Sequence, residues 1–198
     1  MKYILIFGLL FFASMAEATM VVPLNLSQMT DQSEKIFRGR CLDITTELDE
    51  NQMPATYVRF QVLEGLKGVS EGETVLIKQY GSMQDPRAVL HSNDRIRDGE
   101  KIIVPMKSLS LSANSYELGK EYLLFYYPES SLGFTSPVGG GQGLFDISVD
   151  SHGQKRVVNP LNNQFLKEVK RLKGVEGATN LGEIETTIQS LVLQPHSL

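Results

Sequence analysis

The stretch ATYVRFQVLEG, residues 55–65, alternates strictly between polar and apolar side chains. Its two faces carry, respectively, Tyr57, Arg59 and Gln61, and Val58, Phe60 and Val62. An alternation with a period of two is typical of a β-strand that covers a core on one side and meets water on the other. This stretch therefore predicts a mainly β protein, in which further strands share the apolar face.

Other strands are expected on both sides of this one, because apolar runs recur between turns rich in glycine. The predicted strands cover residues 34–48, 73–80, 98–104, 122–127, 144–149 and 155–158. Gly39 lies inside the first of them and indicates a bulge or a bend. The run 122–127 is the most apolar one after the first eighteen residues, so we expect it to be a central strand. Residues 82–98 are polar and irregular, which favours a surface loop.

Helices are predicted at both ends of the strand-rich region. Residues 27–33 favour a short helix with Ser27 as its N-cap. Near the C-terminus, Leu161, Phe165, Val169 and Leu172 recur at helical spacing, as do Ile184, Ile188, Leu191 and Val192. Asn180 followed by Glu183 resembles a capping box. The predicted organisation is a β-barrel domain over residues 19–160 and two amphipathic helices, within residues 161–198, that pack on it.

The first eighteen residues, MKYILIFGLLFFASMAEA, have the pattern of a cleaved export signal. Lys2 precedes an apolar run, and Ala16 and Ala18 form the small-x-small site before Thr19. The rival interpretation is a membrane anchor. A helix over residues 3–16 would span only ~21 Å, against a hydrocarbon core of about 30 Å. We therefore expect an exported protein, periplasmic or secreted, with no stable membrane insertion after cleavage.

Charge and cysteine content narrow the class of protein. The net charge is −4, and loss of the leader leaves it unchanged because Lys2 and Glu17 cancel. A nucleic-acid partner is not expected, since such proteins need a basic stripe. The single cysteine, Cys41, lies in a predicted strand and favours a buried thiol. An intermolecular disulfide or a reactive thiol stays open.

Catalytic and metal-binding patterns are missing from the sequence. His91, His152 and His196 are far apart, and the chain has no CxxC, GxSxG or SxxK motif. We therefore predict no catalytic residue, no cofactor and no metal, and a protein that is not an enzyme. A hydrolase that uses Asp and Glu side chains around residues 82–98 stays open as an alternative, since any two acids on facing elements can serve.

The motif GGGQG, residues 139–143, is the most suggestive of a binding function. Its glycines expose backbone N–H groups that suit a phosphate or a carboxylate. A phosphate loop also needs a lysine and a following helix, whereas a strand is predicted after residue 143. A bend between strands is the favoured interpretation, and Gly139, Gly140, Gly141 and Gln142 are kept as candidate contacts for a partner or ligand.

Three phrases carry a family resemblance: SEKIFRGR at 33–40, FQVLEGLKG at 60–68 and LGKEYLLF at 118–125. In this order they resemble a group of uncharacterised exported bacterial proteins, which are similar to the OB-fold barrels of the TIMP/netrin-module type. The resemblance covers residues 21–158. It implies an OB-like closed β-barrel of about five strands, with an extended N-terminal arm.

The resemblance also suggests how such a protein works. Metalloproteinase inhibitors of that fold bring an N-terminal cysteine to the catalytic zinc, whereas the mature chain here begins at Thr19. The arm can still add to the edge of a partner's sheet, through Thr19, Met20, Val21 and Val22. We therefore expect an exported, non-catalytic protein that binds a protein partner or a small ligand. The alternatives are the Asp/Glu hydrolase and a protease inhibitor of TIMP-like fold.

Overall fold

The computed structural model describes residues 22–81, 116–166 and 177–194. Within them lie seven β-strands, two α-helices and a short 3-10 turn at Val138–Gly141. The strands are β1 (Lys35–Leu48), β2 (Pro54–Lys67), β3 (Thr74–Tyr80), β4 (Glu121–Tyr126), β5 (Leu144–Val149), β6 (Lys155–Val158) and β7 (Thr179–Asn180). The helices are α1 (Leu26–Gln32) and α2 (Leu181–Leu193).

The strands form one antiparallel sheet in the order β3-β2-β1-β4-β5-β6-β7. The prediction of a mainly β fold with helices at its ends is confirmed, and so are the central position of β4 and the hairpin of β5 and β6. The register of β1 against β2 shifts between Arg38 and Gly39, which confirms the bulge. A side chain at Gly39 would meet the Phe37 ring at 2.8 Å, so glycine lets the strand bend there.

The closed OB-like barrel is not confirmed, because the sheet is open between β3 and β7 among the described strands. It does curl at one end. Lys78 in β3 forms a bridge with Phe134, which follows β4, although two strands separate β3 from β4 in the sheet. Long, bulged and twisted strands such as β1 and β2 curve a sheet in this way. The strand pattern predicted this curvature but not whether the two ends would pair.

Successive residues of β4 serve two separate cores, as the period of a strand requires. Leu123 and Phe125 face the helices and belong to the helix-side cluster. Its buried members are Leu26, Met29, Ile36, Leu66, Leu123, Phe125, Val138, Phe145, Val157, Leu166, Leu181, Ile184 and Ile188. Tyr122, Leu124 and Tyr126 face the inside of the curl and belong to the tyrosine cluster. Its buried members are Phe37, Cys41, Val58, Phe60, Val62, Val75, Ile77, Tyr116, Tyr122, Leu124, Tyr126 and Leu144.

Both helices begin at asparagine caps. The prediction of α1 is confirmed, but Ser27 as its N-cap is wrong, because Asn25 Oδ1 accepts from the Gln28 N–H at 2.8 Å. The Gln28 side chain accepts from the Asn25 N–H in return, so the pair forms a capping box that begins two residues earlier. At α2, Asn180 Oδ1 accepts from the Glu183 N–H at 3.2 Å, which confirms the N-cap bond of the predicted capping box.

Several predictions fall on parts of the chain outside the described residues. They are the leader, the loop 82–98, the strand 98–104 and most of the first C-terminal helix. The described beginning of that helix, residues 161–166, forms turns. The second C-terminal helix is confirmed as α2, whose buried Leu181, Ile184 and Ile188 pack against the sheet.

Candidate functional site

The glycine-rich turn and the N-terminal segment, which the sequence left as separate candidates, lie against each other. The turn Val138–Gly141 joins β4 to β5, and Gly139 and Gly140 have φ angles of 66° and 64°. A side chain on Gly139 would meet Leu24 Cδ1 at 2.9 Å. Glycine is therefore required here both for the left-handed backbone and for the close approach of the N-terminal segment.

Gln142 binds the N-terminal segment with its side chain. Its Oε1 accepts from the Leu24 N–H at 2.8 Å, and its Nε2 donates to the Val22 carbonyl oxygen at 2.8 Å. One amide side chain thus offers the donor and the acceptor that a neighbouring β-strand would offer. We call this arrangement of Gln142 with Val22 and Leu24 the Gln142 clamp.

Buried amides hold the clamp in place. Gln142 itself is only 3% exposed, and its Nε2 also donates to the Gly139 carbonyl oxygen at 2.9 Å. Asn159 Nδ2 donates to the Gln142 carbonyl oxygen at 3.1 Å. Tyr127 Oη accepts from the Gly139 N–H and donates to Gln32 in α1. The turn is thereby tied to α1 and to the end of β6, so the Gln142 side chain is preorganised.

Two backbone N–H groups of the motif 139–143 donate to acceptors within the protein. The Gly139 N–H donates to Tyr127 Oη at 3.1 Å, and the Gly143 N–H donates to the Val138 carbonyl oxygen at 2.9 Å. Leu24 occupies the space beside Gly139. These contacts favour a docking role for the turn over the phosphate or carboxylate cradle considered from the sequence.

The N-terminal segment leaves the clamp at Val22, whose side chain is 73% exposed. Thr19, Met20 and Val21 lie outside the described residues, as do Ala16 and Ala18 at the predicted cleavage site. Pro23 has no N–H, so the edge of the segment turned away from Gln142 lacks a donor at that position. Any pairing of the arm with another strand must therefore involve residues before Pro23.

A second polar cluster lies at the boundary of the sheet and α2, and the sequence did not indicate it. The Arg38 cluster consists of Arg38, Arg40, Glu64, Glu121, Lys155 and Glu185, which come from five different elements. Arg38 contacts Glu185 at 2.9 Å and Glu121 and Glu64 at 3.8 Å each. Lys155 and Arg40 both bind Glu121. The three acids thus face the three cations.

The pKa values of the two most buried acids of this cluster, Glu185 and Glu121, are shifted in opposite directions. Burial raises the pKa of Glu185 above its ordinary value, and Arg38 only partly opposes this effect. Burial also acts to raise the pKa of Glu121, but hydrogen bonds from Lys155 and Arg40 outweigh it and lower the pKa. Such divergence is found in acid–base catalysis. Each carboxylate of this cluster forms an ion pair with one of its cations.

The tyrosine cluster contains a chain of hydrogen bonds. Gln79 Nε2 donates to Tyr116 Oη at 3.3 Å, and the hydroxyls of Tyr116 and Tyr126 lie 2.7 Å apart. Burial raises the pKa of both phenols, so both stay protonated at neutral pH. Cys41 is 1% exposed, which confirms the buried thiol. Burial also raises its pKa, which disfavours the reactive thiol.

Lys78 connects the edge strand β3 to Asp49 and to residues 132–134. The sequence did not indicate this role. Its ammonium binds Asp49 Oδ2 at 2.9 Å and donates to the Leu132 carbonyl oxygen at 2.9 Å. The ammonium also lies 4.3 Å from the centre of the Phe134 ring. The hydrogen bond from Lys78 and those from the Met53 and Asn51 N–H groups lower the pKa of Asp49, whose side chain is fully buried.

Residues 22–81, 116–166 and 177–194 contain no group of three or more His, Cys, Asp and Glu side chains arranged to hold a metal ion. The same part of the chain has no helix with the length and apolarity needed to span a membrane. His152 lies exposed in the turn of the β5–β6 hairpin. His91, like the whole segment 82–98, lies outside the described residues, and so does His196.

Comparisons of the chain with protein-family models, with curated proteins and with solved structures gave no significant match.

Proposed function

We propose that this protein is exported and acts as a non-catalytic binding protein, whose binding element is the N-terminal arm, residues 19–22. The observation that carries the proposal is the Gln142 clamp. It holds the backbone of Val22 and Leu24 at a fixed place on the sheet. The arm therefore starts from a rigid support, which lowers the entropy that a partner must overcome to order it.

The chemistry of the arm indicates the kind of partner. Residues 19–22 read TMVV, a short apolar segment rich in β-branched side chains. Val22 is 73% exposed, although valine is usually buried. An extended segment of this kind pairs with the exposed edge of a partner's sheet, where backbone hydrogen bonds supply affinity and alternate side chains fill pockets. A protein with an accessible β-edge is thus the proposed partner.

The protease-inhibitor alternative would use the same arm by a different chemistry. Inhibition by a terminal cysteine needs a thiol at the start of the mature chain. The single cysteine of this chain, Cys41, is instead buried in β1. For that reason we prefer pairing of the arm with the edge of a partner's sheet over binding of the arm to the zinc of a protease. The Asp/Glu hydrolase is predicted on residues 82–98, which lie outside the described residues, and it stays the second alternative.

Site-specific crosslinking tests the proposal. A photoreactive amino acid replaces Met20 in the full-length protein, which is produced in its own organism and irradiated there. A matched variant carries the same group at His152, an exposed position at the far hairpin. We expect a discrete protein adduct from position 20 and none from position 152. Adding Gln142→Ala should reduce the yield at position 20, because the arm is then no longer held.

Two results would contradict the proposal. One is an adduct from position 152 with none from position 20. The other is hydrolysis of a substrate by the purified protein that is lost on a single substitution. The intact mass of the exported protein checks the export step separately: it should correspond to a chain that starts at Thr19.

A further inference from the structure

Residues 130–137 cross the opening between β3 and β4, and we call them the strap. The Thr135 N–H donates to the Lys78 carbonyl oxygen of β3 at 2.9 Å. At the other side, Thr135 Oγ1 donates to the Tyr127 carbonyl oxygen at 2.6 Å, and Pro137 forms a bridge with Tyr126 of β4. The strap therefore connects the two ends of the curled sheet β3-β2-β1-β4, which none of the described strands joins.

The contacts of the strap with β3 are few and partly exposed. Phe134 packs edge-on against Tyr80, with ring centres 5.8 Å apart, and lies under the Lys78 ammonium. Tyr80 is 52% exposed, and Leu132 is 45% exposed. By contrast, α1 and α2 bury Met29, Ile184 and Ile188 completely in the helix-side cluster. Segments with few buried apolar contacts open before the rest of a fold does.

Behind the strap, the interior link between β3 and β4 is partly apolar and partly polar. Val75 and Ile77 of β3 belong to the same buried cluster as Leu124 of β4. The polar part is the chain Gln79–Tyr116–Tyr126, in which the phenols and the amide hydrogen-bond one another. When such a chain separates, water replaces the lost partners, so each hydrogen bond contributes only about 0.5–1.5 kcal/mol net. This polar part therefore resists opening less than an apolar contact of the same area would.

We propose that the strap is a conformational latch, which releases β3 from β4 and gives access to the tyrosine cluster while the helix-side cluster stays folded. The two cores lie on opposite faces of the sheet, so the strap can detach without unpacking the helices. This inference concerns the other core and does not depend on the proposed role of the N-terminal arm.

Cys41 is a natural reporter of this opening. It is the single thiol of the chain, and it is buried in the tyrosine cluster together with Tyr116 and Tyr126. The experiment measures the rate at which a small aromatic disulfide reagent labels Cys41 at increasing urea concentration. Opening of the strap leaves the helix-side cluster folded and should give a rate that depends on urea only weakly, whereas global unfolding gives a steep dependence.

Two strap variants and one control separate these routes. Phe134→Ala and Thr135→Val weaken the strap without leaving a buried charge unpaired, and each should raise the weakly urea-dependent rate by roughly five- to thirtyfold. Ile188→Val weakens the helix-side cluster instead. It should shift only the steeply urea-dependent part of the curve. Far-UV circular dichroism checks that every variant keeps its secondary structure.

The outcomes are decisive in both directions. A plateau in the wild type that rises in both strap variants, but not in Ile188→Val, supports the latch. Labelling that depends steeply on urea from the start in all four proteins would overturn it. So would a plateau that Ile188→Val raises as much as the strap variants do.

Discussion

The surroundings of Glu185 make its protonation stabilise the folded protein, whereas protonation of carboxylates usually destabilises it. Its carboxylate meets Arg38 at 2.9 Å, which favours the charged form. It also lies at the boundary of α2 and the sheet, where burial favours the neutral form, and Glu64 nearby adds repulsion. Burial is the largest of these influences, so the pKa of Glu185 lies above 4.5, its ordinary value. The folded protein therefore binds this proton more tightly than the unfolded chain does.

Glu185→Gln should accordingly change how stability depends on pH. The stabilisation from the raised pKa is complete below the ordinary pKa and is lost as the pH rises through the folded value. As the pH falls from 7 to 4, the wild type should gain free energy of unfolding relative to Glu185→Gln, measured by urea unfolding. Glu183→Gln, an exposed change of the same charge on the same helix, should not show this trend.

The opposite trend would contradict this account of Glu185. If the wild type lost stability relative to Glu185→Gln on acidification, the ion pair with Arg38 would outweigh burial.

At the scale of elements, α2 illustrates how an amphipathic pattern becomes a packed helix. Its buried stripe of Leu181, Ile184 and Ile188 recurs at the spacing of helical turns. Leu193, at the end of the helix, is 81% exposed. All of these residues are apolar, but only those that pack against the sheet contribute to the core. Burial therefore decides how much each of them stabilises the protein.

A pair of alanine substitutions in α2 tests this point. Ile188→Ala should lower the free energy of unfolding by about 2–5 kcal/mol, because it leaves a cavity in the helix-side cluster. Leu193→Ala changes an exposed side chain and should stay within about 0.5 kcal/mol. Urea unfolding measures both. Equal losses of the free energy of unfolding would mean that α2 does not pack on the sheet through this stripe.

At the scale of the whole molecule, buried amides connect segments that are far apart in the sequence. Asn163 is completely buried, and its Nδ2 donates to the carbonyl oxygens of Val157 and Gly177. Its Oδ1 accepts from the N–H of Asn159, which in turn bonds to Gln142. The end of β6, the turn that carries the clamp and the chain before α2 are thus joined by hydrogen bonds as well as by the apolar packing of the helix-side cluster.

Asn163→Ala should therefore be costly, and the neighbouring Asn162 supplies a matched control. Both residues have positive φ angles, 58° and 55°, so alanine is strained to a similar degree at either site. Each buried group left without a partner costs about 1–3 kcal/mol. We expect Asn163→Ala to lower the free energy of unfolding by about 2–4 kcal/mol more than Asn162→Ala, measured by thermal or urea unfolding. Similar losses would show that the strain at positive φ, and not the amide network, dominates.

The sequence by itself determined the elements of this protein. The alternation in residues 55–65, the bulge at Gly39, the hairpin of β5 and β6, and the apolar stripe of α2 all depend on spacings of a few residues, which backbone geometry fixes locally. The cap of α1 shows how closely such rules can place the end of a helix. Asn25 and Ser27 are both good N-caps, and position in the chain does not say which of them the helix uses.

The tertiary structure alone decided how these elements close and what their polar residues contact. Gln142 bonds to Leu24 across 118 positions, and Arg38 bonds to Glu185 across 147. The strap bridges β3 and β4, whereas β3 and β7, the two edges of the sheet among the described strands, do not pair. Contacts of this kind follow from the twist and register of the whole sheet, to which many residues contribute small amounts, so no short spacing in the sequence encodes them.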